Sequence, residues 1–193
     1  SQRRNQKVVE ETPAPNLSDD IRQKMFATAK QLMSSIDYLN AGTVEYIFDQ
    51  DSQQFYFLEV NTRLQVEHGI TELCFDVDLV EWMLKIAYDD TQAKQGTQSS
   101  TNISATDLSP IDNLVSQGHA IQARVYAENP AKNFQPSSGL LTQVEWPEQH
   151  VTASNTLRID HWIEAGIEVS PFFDPMLAKV QVKAQNRQQA IQQ

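Results

Sequence analysis

The order of apolar and polar positions divides this chain into a helical part followed by a strand-rich part. Residues 18–39 carry apolar side chains every three or four positions, from Ile21 to Ile36. This spacing predicts an amphipathic helix whose first turn is capped by Ser18. Residues 78–88 (DLVEWMLKIAY) predict a second helix in the same way. From residue 118 onward, short alternating segments separated by turn residues predict strands.

Between the two helices lies a segment with the pattern of a β-hairpin. Residues 43–48 and 55–60 are rich in β-branched and aromatic side chains, and the polar stretch 49–53 separates them. Two such runs around a short polar turn are typical of paired antiparallel strands. A turn centred near residue 52 would place Phe48 opposite Tyr56.

One face of this hairpin carries candidate chemistry. The same register places Glu45 opposite Glu59, and Asn61 and Arg63 continue the face of Glu59 if the strand extends that far. Carboxylate and amide oxygens are ligands for Mg²⁺ or Mn²⁺, and an arginine suits a phosphate or carboxylate. Two alternatives remain open from these residues: a nucleotide–metal site, or the solvated polar face of an exposed hairpin.

The later part of the chain predicts a mainly antiparallel sheet. In the segment HAIQARVYA the alternation turns Ile121, Ala123 and Val125 toward a core, and it turns Gln122 and Arg124 toward solvent. Helices followed by such strands indicate the α+β class.

Composition marks a boundary between these two parts. Residues 89–117 form a polar tract rich in Ser, Thr and Gln, which predicts a surface loop. We therefore expect one domain over residues 1–88, the loop over 89–117, and a second domain over 118–193.

Charge and cysteine content exclude several classes of function. The formal net charge of −10 argues against nucleic acid as a partner, because phosphate backbones bind clustered lysines and arginines. No apolar stretch is long enough to span a membrane, so a membrane partner is not expected. The single cysteine, Cys74, has apolar neighbours and predicts a buried, inert thiol. One unpaired cysteine suits a reducing compartment, and we expect a cytoplasmic protein.

Four segments of the chain resemble the biotin carboxylases, a family within the ATP-grasp superfamily. Residues 57–68 (FLEVNTRLQVEH) are similar to the family signature. The other matching segments are residues 2–15 (QRRNQKVVEETPAP), 118–130 (GHAIQARVYAENP) and 172–180 (FFDPMLAKV). Within the family, residues 59–69 and 132–142 (KNFQPSSGLLT) resemble the urea carboxylase branch found in urea amidolyases.

The resemblance implies the C-terminal part of an ATP-grasp domain followed by an incomplete, mainly antiparallel biotin carboxylase C-terminal domain. The N-terminal half of the family, with its glycine-rich phosphate lid and ATP-binding lysines, would then be a partner outside this sequence. We accordingly expect the chain alone to be inactive. Three alternatives stay open: a urea carboxylase, the biotin carboxylase part of an acyl-CoA or pyruvate carboxylase, and a truncated non-catalytic folding or interaction module. A homodimer is a further expectation from the family.

The resemblance also implies the substrates and the residues that bind them. Biotin carboxylases use ATP, Mg²⁺ or Mn²⁺, bicarbonate, and biotin attached to a carrier domain. Glu45, Glu59 and Asn61 resemble the ligands of the metal and phosphates. Gln2 resembles a residue of the bicarbonate or nucleotide site, and Lys7 one that contacts the phosphate and bicarbonate end.

The catalytic residues implied by the resemblance lie in two segments. Arg63 resembles the arginine that holds bicarbonate and the reacting phosphate, and Glu67 the base that deprotonates bicarbonate. Gln65 and Val66 are similar to bicarbonate-binding residues, with Val66 acting through its backbone N–H. Arg124 resembles the arginine that stabilises the biotin enolate. Lys7, Arg63, Glu67 and Arg124 make up the implied catalytic set. His68 is expected to make only a structural hydrogen bond.

Overall fold

The structure is a computed structural model that describes residues 1–3, 6–95, 111, 114–151 and 155–193. The described helices are α1 (Asp19–Ser34), α2 (His68–Phe75), α3 (Leu79–Gln95) and α4 (Arg187–Gln192). The described strands are β1 (Gln2–Arg3), β2 (Gln6–Lys7), β3 (Val9–Thr12), β4 (Thr43–Asp49), β5 (Gln54–Asn61), β6 (His119–Tyr126), β7 (Glu128–Asn129), β8 (Gln135–Pro136), β9 (Gly139–Leu140), β10 (His150–Val151), β11 (Asn155–His161), β12 (Glu168–Val169) and β13 (Met176–Ala184). These elements confirm the α+β class.

Two compact units make up the chain. The sheet unit comprises Ser1–Pro13, Gly69–Cys74 and Gln117–Gln193, and the hairpin unit comprises Ala14–His68 and Phe75–Ser116. The predicted domain ranges 1–88 and 118–193 place the first thirteen residues differently, because β3 pairs with β6 in the sheet of the later part. The division of the chain into domains over residues 1–88 and 118–193 remains a prediction.

The sheet unit is built on five antiparallel strands in the order β10-β11-β13-β6-β3. One face of this sheet is apolar in composition, as the alternation predicts, but Ile121, Ala123 and Val125 on it are half-buried and not part of the fully buried core. The short helix α4 packs against β6 and β13, and its Ala190 is buried together with Ala178 and Ala184 of β13.

The opposite face of the sheet is polar but not solvated, which corrects the prediction for Gln122 and Arg124. Gln122 and its cross-strand neighbour Gln181 are completely buried, and the Arg124 side chain is only 9% exposed. The prediction fails because α2 lies against this face: a Cβ on Gly69 would fall within 1.7 Å of Gln181 Oε1. The alternation is correct, but burial depends on a helix that the sequence pattern did not reveal.

Ion pairs attach α2 to this polar face. Gln181 Nε2 donates to Asp160 Oδ2 at 2.8 Å, and Arg158 Nε donates to Asp160 Oδ1 at 2.9 Å. The Nη1 group of Arg158 reaches Glu72 Oε2 of α2 at 2.8 Å. Burial would raise the pKa of Asp160, but Arg158 and Lys179 outweigh it and lower that pKa. Glu72 is only 7% exposed, and a charge buried to that degree is stable only when it is paired in this way.

The hairpin unit contains α1, the β4–β5 hairpin and α3. Ser18 caps α1 as predicted, with its Oγ accepting from Ile21 N at 3.4 Å. The helix ends at Ser34, earlier than the predicted end near residue 39, and Ile36 is 60% exposed instead of belonging to the core. Ser35 Oγ donates to the carbonyl oxygen of Leu32 at 2.7 Å, next to this end.

The helix α3 is longer than its apolar pattern predicted. It continues beyond Tyr88 to Gln95, so the first seven residues of the predicted loop 89–117 are helical. A polar sequence can extend a helix without an apolar stripe, which is why periodicity placed the end too early. Residues 96–110 and 112–113 of that predicted loop lie outside the described part of the chain. No helix within the described ranges is long and apolar enough to cross a membrane.

A glycine-to-alanine substitution tests the packing of α2. The Cβ of Ala at position 69 would meet Gln181 Oε1 at 1.7 Å and Cδ at 2.8 Å, and Gln181 is buried and bonded to Asp160. We expect Gly69→Ala to lower the free energy of unfolding by about 1–3 kcal/mol, as overpacking does, although alanine is normally the better helix former. In a Gln181→Ala background the same substitution should cost much less. Urea unfolding of the four proteins measures this, and an equal cost in both backgrounds would contradict it.

Candidate active site

The register of the β4–β5 hairpin decides which side chains meet. Glu45 pairs with Glu59, as predicted. Phe48 pairs with Phe55, so the predicted pairing of Phe48 with Tyr56 is wrong. The register shifts by one residue between Glu45 and Tyr46, where Leu58 on β5 has no partner. The turn is centred half a residue earlier than assumed, which by itself would shift Glu59 by one residue relative to Glu45. The extra residue in the bulge cancels this shift, so the two glutamates face each other.

One side-chain amide bridges these facing carboxylates, and a second donates to one of them. Asn61 Nδ2 donates to Glu45 Oε1 at 3.1 Å and to Glu59 Oε1 at 3.0 Å. Gln65 Nε2 donates to the same Glu45 Oε1 at 2.6 Å, and Gln65 is only 7% exposed. Like charges at opposed strand positions repel, and donors between them offset that repulsion. Glu45, Glu59, Asn61 and Gln65 therefore form one cluster, named here the carboxylate–amide cluster.

Aromatic packing supports the hairpin that carries this cluster. The ring of Tyr46 makes edge contacts with Phe55 and Phe57, with centroids 5.3 and 6.4 Å apart. Burial raises the pKa of Tyr46, so its phenol stays neutral. Such edge-to-face pairs add stability beyond the area they bury and fix the relative position of the two strands.

The segment after β5 carries the other predicted residues of this unit. The strand ends at Asn61, so Arg63 does not continue its face; Arg63 is exposed and its Nη1 donates to the carbonyl oxygen of Leu64 at 3.2 Å. Val66 and Glu67 follow in the turn before α2 and are half-buried. His68 Nδ1 lies 2.7 Å from the carbonyl oxygen of Gln65, which confirms the expected structural hydrogen bond.

Gln2, Lys7 and Arg124 belong to the sheet unit instead. Gln2 pairs with Lys7 across the small β1–β2 ladder. The Lys7 carbonyl oxygen lies 3.5 Å from Tyr126 Oη, which also accepts from Gln6 Nε2 at 3.1 Å. Gln2 and Lys7 are thus linked, through the contact of Lys7 with Tyr126, to β6, the strand that carries Arg124.

Arg124 is held by a residue that the sequence did not single out. Its Nε donates to Glu10 Oε1 at 2.6 Å, and its Nη2 also reaches that oxygen. Burial would lower the pKa of Arg124, but the hydrogen bond and charge of Glu10 raise it further, so the guanidinium stays charged. The segment VVEE at residues 8–11 did contain a signal for such a partner. Because side chains alternate between the faces of a strand, Glu10 and Glu11 lie on opposite faces, and one of them must share a face with Arg124 if this strand joins the sheet.

The carboxylate–amide cluster is the feature that bears on the predicted cation site. Within the described ranges, no group of three or more His, Cys, Asp or Glu residues could hold a metal ion. The cluster instead offers two carboxylates and the side-chain amide of Asn61, whose nitrogen lies about equally far from both. The two carboxylates are hard oxygen donors that fit Mg²⁺ or Mn²⁺, which usually keep other ligands from phosphates and water. The Asn61 amide would join them with its oxygen only after turning, because its nitrogen faces both carboxylates.

Comparison with protein families identifies the chain. Residues 1–94 match the family model described as "Carbamoyl-phosphate synthase L chain, ATP binding domain", and residues 122–193 match "Biotin carboxylase C-terminal domain". The chain belongs to the biotin carboxylase family. Both the ATP-grasp part and the biotin carboxylase C-terminal domain predicted from the sequence are confirmed.

Relatives in this family come from several carboxylases. Urea amidolyase of Lachancea kluyveri is 50% identical over 190 residues, which is 98% of this chain and 9% of that protein. Methylcrotonoyl-CoA carboxylase subunit alpha of Dictyostelium discoideum is 43% identical over 98% of this chain and 24% of its own length. The chain therefore spans less than a quarter of the length of these curated relatives.

Solved structures show the same similarity. The crystal structure of Kluyveromyces lactis urea carboxylase matches with a TM-score of 0.82 and 46% identity, covering 99% of this chain and 15% of that one. The biotin carboxylase domain dimer of Hydrogenobacter thermophilus 2-oxoglutarate carboxylase matches with a TM-score of 0.79 and 33% identity over 99% of this chain and 38% of that one. That domain was solved in complex with MgADP, ADP and bicarbonate.

Replacing the bridging amide tests the carboxylate–amide cluster. Asn61→Asp should put a third carboxylate between Glu45 and Glu59. It should also remove the N–H group from which both glutamates accept a hydrogen bond. We expect the free energy of unfolding at pH 7 to fall by about 1–3 kcal/mol, the usual cost of leaving such a group without its partner. Gln31→Glu on the exposed side of α1 adds the same charge elsewhere and serves as the control. Urea unfolding measures both, and equal losses would contradict the bridging role of Asn61.

Proposed function

We propose that this chain takes part in the ATP- and bicarbonate-dependent carboxylation of carrier-bound biotin, within a urea carboxylase. The observation that carries the proposal is the carboxylate–amide cluster, in which Asn61 bridges Glu45 and Glu59 on a chain matched by both family models. The reaction needs cations around migrating phosphate charge, a base for bicarbonate, and a positive group near biotin. Each requirement has a candidate among the described residues.

The carboxylate–amide cluster is proposed to hold the metal. Glu45, Glu59 and Asn61 would bind Mg²⁺ or Mn²⁺, with the Asn61 amide turned so that its oxygen takes the place that Nδ2 holds between the carboxylates. The ion, when bound, would neutralise the phosphates of ATP during transfer. A related domain solved with MgADP supports this choice of metal. Gln65 donates to Glu45 at 2.6 Å and so fixes one ligand carboxylate in place.

The segment after β5 is proposed to bind and activate bicarbonate. Glu67 would remove the bicarbonate proton as the base, and Arg63 would hold the anion and the reacting phosphate. Gln65 and the Val66 backbone N–H would donate to the same substrate. The exposure of Arg63 supports this division, since its guanidinium is open to an anionic substrate, and Glu67 follows four residues later in the same segment. Gln2 and Lys7 are proposed to contact bicarbonate and phosphate.

Arg124 is proposed to act in the second half of the reaction. Bicarbonate and ATP give carboxyphosphate and ADP, and carboxyphosphate then breaks into CO₂ and phosphate. The released phosphate takes the N1′ proton of biotin, so that the ureido group becomes an enolate, and N1′ then attacks the CO₂ to form the N–C bond of carboxybiotin. A permanently charged guanidinium would stabilise the negative oxygen of that enolate. Arg124 stays charged even though its side chain is only 9% exposed.

Urea is the proposed final acceptor, and the 50% identity to a urea amidolyase supports it. Acyl-CoA carboxylases share the same biotin step, as the 43% identity to a methylcrotonoyl-CoA carboxylase subunit illustrates. The proposed partners are the N-terminal half of the biotin carboxylase and a biotin carrier domain, in a cytoplasmic enzyme in which two copies pair. Both partners would be needed for turnover.

A chimera tests the proposed function. This chain would replace the matching segment of Kluyveromyces lactis urea carboxylase, to which it is 46% identical. We expect bicarbonate-dependent ATP cleavage from the chimera and none from the chain alone. Arg124→Ala should slow carboxybiotin formation by about 100-fold, the usual effect of removing one transition-state donor, and should slow ATP cleavage less.

Glu67→Gln should instead slow both steps, because it removes the base that starts the sequence. Arg22→Ala, which removes a surface arginine paired with Asp19, is the matched control. Release of ADP and formation of carboxybiotin would be measured side by side for each variant. Parallel losses in both rates for Arg124→Ala would refute its assignment to the biotin step.

A further inference from the structure

Glu10 is hydrogen-bonded to one edge of the Arg124 guanidinium. Its Oε1 accepts from Nε at 2.6 Å and also from Nη2, which share one edge of the planar group. The second carboxylate oxygen, Oε2, accepts from Gln122 Nε2 at 3.3 Å. Glu10 is thus bonded through both oxygens and joins two side chains of the same face of β6. Tyr126 also makes a side-chain hydrogen bond with Arg124. The contacts at this edge limit the directions that the guanidinium and its Nη1 group can take.

Burial makes this contact stronger than a surface ion pair. Both side chains of the Glu10–Arg124 pair are only 9% exposed. Paired surface charges contribute little, because water screens them and the side chains must be ordered. A buried pair instead fixes its geometry, since breaking it leaves an uncompensated charge. Gln122, which is completely buried, prevents the Glu10 carboxylate from turning away.

The neighbouring residue on β3 offers an internal comparison. Glu11 lies on the opposite face and pairs with Arg187 Nε at 2.7 Å and with His119 Nε2 at 2.8 Å. The hydrogen bond from Arg187 lowers the pKa of Glu11, and His119 adds to this against the effect of burial. Glu10 and Glu11 are therefore both ion-paired carboxylates of one strand, but only Glu10 contacts Arg124.

We infer that Glu10 is a positioning residue for carboxyl transfer to biotin, acting through Arg124. Glu10 holds the Nε and Nη2 edge of the guanidinium. It thereby orients the other donor groups of Arg124 and fixes the position of the positive charge. Preorganised donors lower a barrier only when they are already aimed at the developing charge. This role rests on the proposed function, because the contact of Arg124 with biotin is itself proposed.

Nuclear magnetic resonance on the 193-residue chain tests whether Glu10 holds Arg124. The Hε–Nε signal of Arg124 would be assigned by its loss in Arg124→Lys. We expect slow solvent exchange of this Hε in the unmodified chain, and exchange faster by about tenfold or more in Glu10→Gln, because a charged acceptor binds about twice as strongly as a neutral one. Glutamine is chosen since it keeps the shape and one acceptor. Glu11→Gln should leave this signal unchanged.

Kinetics in the chimera test the consequence for the reaction. Glu10→Gln should lower the carboxybiotin formed per ATP cleaved by about tenfold, equal to roughly 1.4 kcal/mol of transition-state stabilisation. Glu10→Asp should recover part of the loss, and Glu11→Gln should show the unmodified ratio. Thermal unfolding of each variant separates these effects from loss of fold.

Three results would overturn the role of Glu10. They are an Arg124 signal that is the same in Glu10→Gln, a ratio that falls equally in Glu11→Gln, and a parallel loss of both rates. An unmodified chimera without ATP cleavage would instead refute the proposed function, and the resonance experiment would then decide on its own whether Glu10 holds Arg124.

Discussion

Two carboxylates face each other across the β4–β5 hairpin, and side-chain amides of the hairpin unit stabilise this arrangement. Glu45 and Glu59 are paired by the strand register, and the amides of Asn61 and Gln65 lie between or beside them. Without such donors, opposed carboxylates would destabilise the hairpin. The fold therefore maintains a local concentration of negative oxygen, which is the physical requirement for binding a hard cation next to phosphates.

The polar face of the sheet unit carries ion pairs that are buried to different degrees. Its polar face carries Arg124 with Glu10 and Arg158 with Asp160, and Arg158 also reaches Glu72 of α2. Desolvating such pairs is costly, so they contribute less to stability than to the choice of one geometry. A fixed arginine geometry is what the proposed biotin step needs.

The sequence predicted the parts of this arrangement that depend on local pattern. Alternation put Gln122 and Arg124 on one face, and an assumed turn centre paired Glu45 with Glu59, although its register holds only on the far side of the bulge from the turn. It could not place the bulge at Leu58, because an extra residue leaves no mark on the pattern of apolar positions. It also missed α2, an eight-residue helix whose packing depends on a tertiary contact of Gly69. The roles of the site residues came from family resemblance and stay predictions.

Binding of Mn²⁺ to the isotopically labelled chain tests the central claim most directly. Paramagnetic broadening should appear first at the side-chain amides of Asn61 and Gln65, and either Glu45→Gln or Glu59→Gln should abolish it. The chain has a net charge of −10, so general attraction of cations is the alternative. Broadening spread over the other acidic surfaces, or unchanged by those two substitutions, would contradict a metal site at this hairpin.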